Sequence, residues 1–353
     1  MTKQEMIAKE LSASGADALF LCTKNSITWI SPELCDSEIY YLCTKDKVVG
    51  FADIRDIDSL QTVKNIEKVA IKSYKDVMDY INELNLNVLL IDGDLTLSDF
   101  ETYKPLLTAK SLKIANMKSL RCIKTDEEIK LMQIAADIAC DAVAHVKENI
   151  KVGMSEQQVA DMIKVFMITA GASGLSFPSI VSFGTNTADI HHMPSATKKL
   201  ESGELIMLDL GCVYKGYCSD ITRCFWLGEP APWMLEMYEL VLNAQVGAVA
   251  LAKNGTKASD IDKYCRTYFD EHKPEWGETF KHGTGHGVGI QIHELPSIRP
   301  TSDFAIETNQ VHTVEPGVYV KDLGGVRVED TIVITPNGNI VLTKKAPKEL
   351  NKK

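Results

Sequence analysis

The sequence predicts a two-domain protein of the α+β class, in which a smaller α/β domain spans residues 1–120 and a larger domain spans residues 121–353. Three observations support this prediction. The chain has 353 residues, of which 45% are hydrophobic and 24% charged, and this length and composition are typical of two folded domains. Strand-like and helix-like segments alternate in the first part of the chain. Long amphipathic helices and paired strands follow.

The first domain alternates between two sequence patterns. Stretches rich in aliphatic and aromatic residues are typical of strands, and they occur at residues 16–22, 38–44, 47–52 and 88–92. Helical patterns occur at residues 3–12, 75–84 and 97–107. Such an alternation predicts an α/β domain. We find no constellation of catalytic side chains in this part of the sequence.

The second domain is predicted to begin with a long helix. Thr125 and Glu128 have the spacing of a capping box. Apolar residues then recur every three or four positions, as they do on one face of a helix. Ser155 with Gln158 opens a second helix, which we expect Gly171 to end. Two further helices are predicted at residues 232–253 and 259–272.

Strand pairs accompany these helices. Apolar runs at residues 205–213 and 219–227 predict one antiparallel pair, and runs at residues 312–320 and 326–335 predict another. The lysine-rich segment after Lys344 is expected to be a frayed C-terminal tail. The larger domain is therefore predicted to pack long helices on antiparallel sheet.

The overall charge and the cysteines exclude several classes of protein. The formal net charge is −10, which argues against nucleic-acid binding. No apolar run approaches the length of about 18 residues that spans a membrane, and the first residues lack the apolar stretch of a secretory signal. None of the nine cysteines forms a Cys-x-x-Cys pair, which excludes a zinc ribbon. We expect a cytoplasmic protein that binds neither membranes nor nucleic acids.

Two aspartates interrupt the first strand pair. Asp209 lies in an apolar strand, where a buried lone charge is costly and needs a cation. If residues 214–216 close a regular hairpin, Asp220 pairs with residue 209 or 211, and both carboxylates lie on one face of the sheet. Two adjacent like charges are stabilised by a metal ion or by a partner such as Arg223. This pair alone leaves the metal site and the salt bridge open.

Two glutamates interrupt the second strand pair in the same way. Glu315 and Glu329 lie in apolar strands, and a connecting loop with an odd number of residues would place both on one face. Four buried carboxylates on consecutive strands exceed what nearby lysines and arginines can neutralise. The sequence therefore predicts a cluster that binds divalent metal.

Histidines are concentrated in two stretches. Five of the eight histidines lie in these stretches, at positions 191, 192, 282, 286 and 293. Residues 281–289 alternate glycine with other residues, which lets the backbone approach a site closely. This stretch matches neither the dinucleotide-binding Gly-x-Gly-x-x-Gly pattern nor the His-Glu-x-x-His zinc motif.

Four carboxylates and a histidine form a ligand set for two adjacent divalent ions. Donors rich in oxygen favour Mn²⁺, Fe²⁺, Co²⁺ or Zn²⁺ over copper, and a pair of such ions activates a shared water molecule. No serine or cysteine lies in a recognisable nucleophile motif. A metal-dependent hydrolase is the function that these residues predict.

Over residues 120–345 the sequence resembles the pita-bread metallopeptidase family. Five metal ligands occur in that family in the order Asp, Asp, His, Glu, Glu, in stretches that read here DLG, SDITR, GTGHGVG, VEPG and RVED. They match Asp209, Asp220, His286, Glu315 and Glu329. The resemblance implies a pita-bread (creatinase/aminopeptidase) fold and two divalent ions, Mn²⁺ first, with Co²⁺, Zn²⁺ and Fe²⁺ as alternatives. Residues 15–19 and 27–29 resemble the creatinase-like N-terminal domain of the proline-specific members.

The resemblance also implies roles for individual side chains. Catalytic roles are expected for His191, His293 and Glu315, of which Glu315 takes the proton of the attacking water. The positions expected to bind substrate are His282, His293, Arg327, Tyr319 and Phe177. The residues that depart from the family pattern are Ile190, His192 and His312.

The activity implied is hydrolysis of the Xaa-Pro bond at the N-terminus of a peptide, by attack of a hydroxide that bridges the two ions. The first expectation is an Xaa-Pro aminopeptidase of the aminopeptidase P type. The alternative is an Xaa-Pro dipeptidase (prolidase) restricted to dipeptides, and a remote alternative is a metal-free binding module of the same fold. The resemblance further implies a homodimer.

Overall fold

The computed structural model describes residues 1–32, 38–63 and 65–348. The chain divides into two compact units, Met1–Arg121 and Cys122–Lys353. Among the described residues, no helix combines the length and the apolar composition that crossing a membrane requires.

The N-terminal unit is built on a six-stranded mixed sheet. Its strands are β1 (Ala18–Leu21), β2 (Ile39–Cys43), β3 (Val48–Asp53), β4 (Ile66–Ile71), β5 (Val88–Ile91) and β6 (Ser111–Ile114). They are ordered β4-β3-β2-β1-β5-β6. The β1–β2 and β2–β3 pairs are antiparallel, and the remaining pairs are parallel. The central strands β1 and β2 are buried along their whole length, as strands covered on both faces are.

Helices accompany this sheet, and two short ones among them are not predicted by the sequence pattern. The described helices of the unit are α1 (Lys3–Ser14), α2 (Lys24–Ile30), α3 (Tyr74–Glu83), α4 (Leu97–Tyr103) and α5 (Met117–Leu120). The sequence pattern does not reveal α2 or α5, nor the edge strands β4 and β6. These edge strands are partly exposed and contain charged residues, so their apolar pattern is weak.

The larger unit contains the long helices that the sequence predicts. They are α6 (Asp126–Asn149), α7 (Glu156–Thr169), α8 (Pro232–Leu251), α9 (Ala258–His272) and the short α10 (Pro274–Gly277). The predicted capping box at the start of α6 forms. The Glu128 N–H donates to the Thr125 hydroxyl, and the Thr125 N–H donates in return to the Glu128 carboxylate. Ser155 and Gln158 cap α7 in the same way.

The strands of the larger unit form several small antiparallel sheets. They are β7 (Gly174–Leu175), β8 (Ile180–Phe183), β9 (Leu205–Leu210), β10 (Cys212–Tyr214), β11 (Tyr217–Cys218), β12 (Ile221–Trp226), β13 (Gly285–Gly287), β14 (Glu294–Ile298), β15 (Val311–Val314), β16 (Gly317–Val320), β17 (Gly324–Arg327), β18 (Asp330–Thr335) and β19 (Gly338–Val341). The sheets are ordered β11-β10-β7, β12-β9-β8, β14-β13-β15-β18-β19 and β16-β17. Helices α8 and α9 contribute to one apolar core, and α6 and α7 to another.

The first hairpin has the register that places both aspartates on one face. Lys215 and Gly216 form its tip, and both have positive φ, as the two central residues of a tight hairpin turn require. Asp209 lies opposite Thr222. The same register sets Asp220 opposite residue 211, which is one of the two predicted pairings.

The second strand pair places the glutamates directly opposite each other. Val314 pairs with Asp330 in one ladder, and Gly317 pairs with Arg327 in the next. Between these pairs the same register sets Glu315 opposite Glu329. The loop that joins β16 to β17 has an odd number of residues, 321–323, as the predicted arrangement requires.

The C-terminal segment corrects the sequence-based expectation of a frayed tail after Lys344. The Lys345 ammonium lies 2.7 Å from the Asp141 carboxylate, and the Lys348 ammonium lies 2.5 Å from the Asp330 carboxylate. The composition of the segment is polar, but its lysines have buried or half-buried acidic partners that are distant in sequence. Residues 349–353 lie outside the described part of the chain.

Candidate active site

The larger unit encloses a cavity of about 500 Å³ that is lined by all five predicted metal ligands, Asp209, Asp220, His286, Glu315 and Glu329. Most of the other predicted site residues line it as well: His191, His282, His293, Arg327 and Phe177. Tyr319 does not line this cavity, but its hydroxyl contacts two residues that do. The structure thus brings together residues that are far apart in sequence.

Three carboxylates converge at the cavity because of the two strand registers. Asp209, Asp220 and Glu329 each offer an oxygen atom, and these atoms all lie within 4.8 Å of one another. Asp209 lies on β9, Asp220 directly precedes β12, and Glu329 directly precedes β18. Strands β9 and β18 are interior strands of their sheets, and β12 is paired with β9, so the sheets fix the backbone near all three side chains.

Two oxygens of this cluster are buried without a partner. Asp209 Oδ2 accepts a hydrogen bond from Arg327 Nη2 at 2.6 Å, and Glu329 Oε2 accepts one from the Thr222 hydroxyl at 2.7 Å. Asp209 Oδ1 and Glu329 Oε1 have no hydrogen-bond partner among the described residues. A buried carboxylate oxygen without a donor is costly, and a cation would satisfy it.

The electrostatics of the cluster lead to the same conclusion. Burial raises the pKa of Asp209, of Asp220 and of Glu329 above the ordinary values. Neighbouring carboxylates raise these pKa values further, and the Arg327 guanidinium lowers them only in part. One arginine does not balance the cluster. The donor set and its unsatisfied charge therefore fit divalent cations with oxygen-rich coordination.

His286 presents a nitrogen lone pair to the carboxylates. Its Nδ1 lies 3.1 Å from the Gly287 carbonyl oxygen, which can only accept, so we assign the ring hydrogen to Nδ1. Its Nε2 then faces Glu315 Oε1 at 3.3 Å and Asp220 Oδ2 at 3.5 Å. A lone pair directed at carboxylate oxygens is the arrangement of ligands around a shared cation.

A chain of hydrogen bonds connects His282 to Asp209. His282 Nδ1 lies 2.9 Å from the Gly283 carbonyl oxygen, so its Nε2 accepts a hydrogen bond from the Tyr319 hydroxyl at 2.8 Å. That hydroxyl accepts from Arg327 Nη1 at 3.0 Å, and Arg327 Nη2 donates to Asp209. Burial lowers the pKa of His282, which favours the neutral ring. Tyr319 and Arg327 therefore orient residues of the cavity.

Two further histidines approach the cavity from loops. The His293 ring lies 4.4 Å from the His286 ring, measured between centroids, in an edge-to-face arrangement. Burial, followed by the nearby His286, lowers the pKa of His293, which favours its neutral form. His191 is exposed and lines the same cavity. Neither histidine belongs to a regular strand or helix.

The adjacent histidines His191 and His192 lie in different surroundings. His191 lines the cavity, whereas the His192 side chain lies against a buried carboxylate, with its Nε2 2.7 Å from Glu156 Oε2. His312, which also departs from the family pattern, is fully buried in β15. Burial lowers the pKa of His312 to about 4, so its ring is neutral.

Sequence reasoning missed three polar side chains of the site. The Thr313 hydroxyl accepts the His286 N–H and donates to Glu315 Oε1, both at 3.0 Å. Thr222 bridges Glu329 and Arg327, and Arg299 lines the cavity. Each threonine is two residues from a predicted ligand, so the period of two along a strand is a signal that could have identified it. Arg299 lies outside every predicted motif.

Comparison with known sequences gives matches over most of the chain. A sequence profile of metallopeptidase family M24 matches residues 130–336. The Xaa-Pro dipeptidase of Pyrococcus furiosus is 33% identical to this chain over 342 residues, which cover 96% of this chain and 97% of the relative.

Solved structures are similar over nearly the whole length. An Xaa-Pro dipeptidase from Bacillus anthracis superposes with a TM-score of 0.91 at 35% identity, covering 99% of this chain and 98% of that one. An X-Pro aminopeptidase from Thermotoga maritima superposes with a TM-score of 0.90 at 28% identity, covering 97% and 99%. These similarities confirm the predicted α+β class and the pita-bread fold.

Proposed function

The chain belongs to metallopeptidase family M24, and on this premise we propose that it hydrolyses the peptide bond between an N-terminal residue and a following proline. The observation that supports the proposal most is the buried carboxylate cluster, which a single arginine does not balance and which shares its cavity with His191 and His293. The names of the relatives, an Xaa-Pro dipeptidase and an X-Pro aminopeptidase, support the substrate class.

Two divalent ions are proposed to complete the site. Their ligands would be Asp209, Asp220, His286, Glu315 and Glu329, and the preferred ion is Mn²⁺, with Co²⁺, Zn²⁺ and Fe²⁺ as alternatives. When bound, such ions supply the positive charge that polarises a carbonyl group and lowers the pKa of water. The unpartnered oxygens Asp209 Oδ1 and Glu329 Oε1 support this assignment.

Glu315 is proposed as the base that accepts a proton from the attacking water. Its side chain retains 16% exposure, whereas Glu329 is almost fully buried. The Thr313 hydroxyl donates a hydrogen bond to its Oε1 at 3.0 Å and so fixes the position of the carboxylate. A carboxylate that is fixed in position and open to the cavity can take a proton from water and pass it on.

His293 and His191 are proposed to act on the scissile peptide. The lowered pKa of His293 keeps its ring neutral, and a neutral imidazole still donates one N–H to an oxygen that develops negative charge. The proline nitrogen has no hydrogen of its own and must gain a proton when the bond breaks. His191 is the proposed donor at that nitrogen. Phe177 lines the cavity and offers an apolar surface to the proline ring.

Within this substrate class, we propose an aminopeptidase of the aminopeptidase P type, with a dipeptidase as the second candidate. Arg299 favours the second candidate, because it lines the cavity and its Nε donates to the neutral Ser297 hydroxyl at 2.6 Å. A guanidinium in this place can bind a carboxylate, and a dipeptide presents its C-terminal carboxylate one residue beyond the scissile bond. A longer peptide does not.

Kinetics on Gly-Pro and Gly-Pro-Pro separate the two candidates. The purified protein would be assayed with Mn²⁺, Co²⁺, Zn²⁺ and Fe²⁺ in turn, and again after EDTA treatment. In a dipeptidase, Arg299→Ala would lower kcat/KM on Gly-Pro by about tenfold to a hundredfold. In an aminopeptidase, the tripeptide would be cleaved and the substitution would change both substrates little. Hydrolysis of neither peptide with any ion would contradict the proposal, and failure to bind a divalent ion would favour the metal-free binding module.

Two proposals rest on the sequence alone. We propose a homodimer, which light scattering coupled to gel filtration would test, and a cytoplasmic location, which cell fractionation would test.

A further inference from the structure

A buried carboxylate outside the cavity collects four hydrogen bonds. Glu156 is the first residue of α7 and is fully buried. Its Oε1 accepts the Phe183 N–H at 2.8 Å and the Asn186 Nδ2–H at 2.9 Å. Its Oε2 lies 2.7 Å from His192 Nε2 and accepts the Ser195 N–H at 2.9 Å. Hydrogen bonds to a buried carboxylate are among the stronger ones in proteins.

All four donors belong to residues 183–195, which we call the histidine loop because His191 lies within it. The backbone of α7 holds the C-terminal end of this loop and the residues after it. The Gln157 N–H donates to the Ser195 carbonyl at 3.1 Å, and the Glu156 N–H donates to the Lys198 carbonyl at 3.2 Å. The first turn of α7 thus binds the loop on both sides of His191.

The two adjacent histidines have different tasks in this arrangement. The His192 side chain is 15% exposed and is directed at Glu156, while the preceding His191 is exposed at the cavity. His192 directly follows His191 in the chain. Its hydrogen bond to Glu156 therefore fixes the backbone from which the His191 side chain projects. The negative charge of Glu156 is also favoured at the N-terminus of a helix.

We propose that Glu156 is a positioning residue for the reaction. Together with His192 it holds the histidine loop so that His191 is presented to the scissile peptide. This inference rests on the proposed function, because it assumes that His191 acts on the substrate. Neither Glu156 nor His192 touches the reacting atoms.

Hydrogen exchange of the intact protein, followed by mass spectrometry, tests the anchoring without any assay of activity. In Glu156→Gln, one carboxylate oxygen becomes an amide NH2 group that cannot accept, so N–H groups of the loop that face it lose their acceptor. We expect amide exchange within residues 183–195 to accelerate about tenfold or more. Unchanged exchange in this loop would overturn the proposal.

Glu128→Gln is the matched control, because Glu128 is also a buried glutamate in the first turn of a helix. It accepts the Thr125 N–H and the Tyr217 hydroxyl, both at 2.8 Å. We expect faster exchange around residue 125 in this variant and no change in the histidine loop. Equal acceleration of the loop in both variants would show a general loss of stability and would contradict a specific role of Glu156.

A double-mutant cycle with His191→Ala tests the catalytic consequence. Glu156→Gln alone should lower kcat by about tenfold to a hundredfold, as a misplaced catalytic group does. In the His191→Ala background the same substitution should change kcat less than about twofold, because the group that it positions is gone. A purely structural defect would lower kcat equally in both backgrounds, and that outcome would overturn the proposal.

His192 provides a second route if Glu156→Gln does not fold. His192→Gln keeps an N–H donor that can reach Glu156 and should retain most of the activity, whereas His192→Leu should reproduce the loss. Equal activity of the two variants would contradict the role of the bond. If the unsubstituted protein hydrolyses no Xaa-Pro peptide, the proposed function fails, and the role of Glu156 in positioning His191 for the reaction fails with it. The exchange data then still decide whether Glu156 orders the loop.

Discussion

Two consecutive carboxylates of this protein lie in opposite electrostatic surroundings. Asp330 accepts hydrogen bonds from Arg223 Nη2 and the Thr343 hydroxyl at 2.8 Å, from Gln245 Nε2 at 3.0 Å and from Lys348 Nζ at 2.5 Å. The preceding Glu329 is equally buried, but in the part of the chain that the structure describes its carboxylate accepts only the Thr222 hydroxyl, and the second carboxylate oxygen has no partner there.

The pKa values of these neighbours shift in opposite directions. Burial raises both, but at Asp330 the positive charges of Arg223 and Lys348 outweigh it, so the pKa of Asp330 is lowered. At Glu329 the charges of Glu315 and Asp209 add to burial, so its pKa lies well above the ordinary value. Glu329 directly precedes β18 and Asp330 begins it. Because successive residues of an extended chain point to opposite faces, these neighbouring side chains enter different surroundings. Burial alone therefore does not mark a functional acid, whereas an unbalanced buried charge does.

The largest effect is expected from Glu329→Gln. The amide keeps the shape of the side chain but removes an anionic ligand, so hydrolysis of an Xaa-Pro peptide should fall by at least about a hundredfold. The substitution also removes one of several mutually repelling charges. The free energy of unfolding, measured in urea with EDTA present, should therefore not decrease. A decrease of about 3–5 kcal/mol in the free energy of unfolding, as expected below for Asp330→Asn, would contradict the view that the charge of Glu329 is unbalanced.

Asp330→Asn is expected to act mainly on stability. It leaves the buried guanidinium of Arg223 without its carboxylate, and the loss of one partner from a buried ion pair costs about 3–5 kcal/mol. Urea denaturation should show this decrease with and without Mn²⁺. The folded fraction should retain measurable Xaa-Pro hydrolysis. An inactive variant of unchanged stability would assign Asp330 to the catalytic machinery instead.

The pH dependence of the stability of the metal-free protein is a further test of the difference between the carboxylate cluster and Asp330. Since folding raises the pKa values of Asp209, Asp220 and Glu329, their contribution to stability is fully present below the ordinary values of 3.8 and 4.5 and is lost as the pH rises through the raised values. The lowered pKa of Asp330 acts oppositely, and its contribution is lost as the pH falls.

With EDTA present, the free energy of unfolding should fall by about 1 kcal/mol per pH unit as the pH rises above about 5. Urea titrations at several pH values measure this slope. Glu329→Gln should make the slope shallower, and added Mn²⁺ should remove it. An identical slope in the unsubstituted protein and in Glu329→Gln would show that the cluster does not hold protons in the metal-free state.

Strand geometry let the sequence predict which acidic side chains lie close together. The period of two along a strand was sufficient to place Asp209 with Asp220 and Glu315 with Glu329 on shared faces, because each pair belongs to one hairpin. The family pattern supplied His286. The apolar pattern alone does not separate Glu329 from Asp330, because both border apolar stretches and both become buried; the family pattern singled out Glu329.

What the sequence could not supply was the identity of distant partners. Asp330 meets Arg223, which is 107 positions away, and Glu156 meets His192 at a separation of 36. No local pattern encodes such contacts, so the expectation of a frayed tail was wrong for residues 345–348, and no role for His192 followed from the sequence. Tertiary packing determines which of two similar side chains is neutralised and which is left to bind a ligand.

The smallest effect is expected from substitutions of the lysines in the C-terminal segment, residues 345–348. Lys348 supplies part of the charge that balances Asp330 and is only 23% exposed, whereas Lys345 pairs with Asp141 at the surface. Lys348→Gln should lower the free energy of unfolding by about 1 kcal/mol, and Lys345→Gln by less, because exposed pairs contribute little. Urea denaturation of both variants at equal ionic strength measures the difference. If the two losses are equal, Lys348 does not help to neutralise Asp330, and Arg223 alone accounts for the lowered pKa.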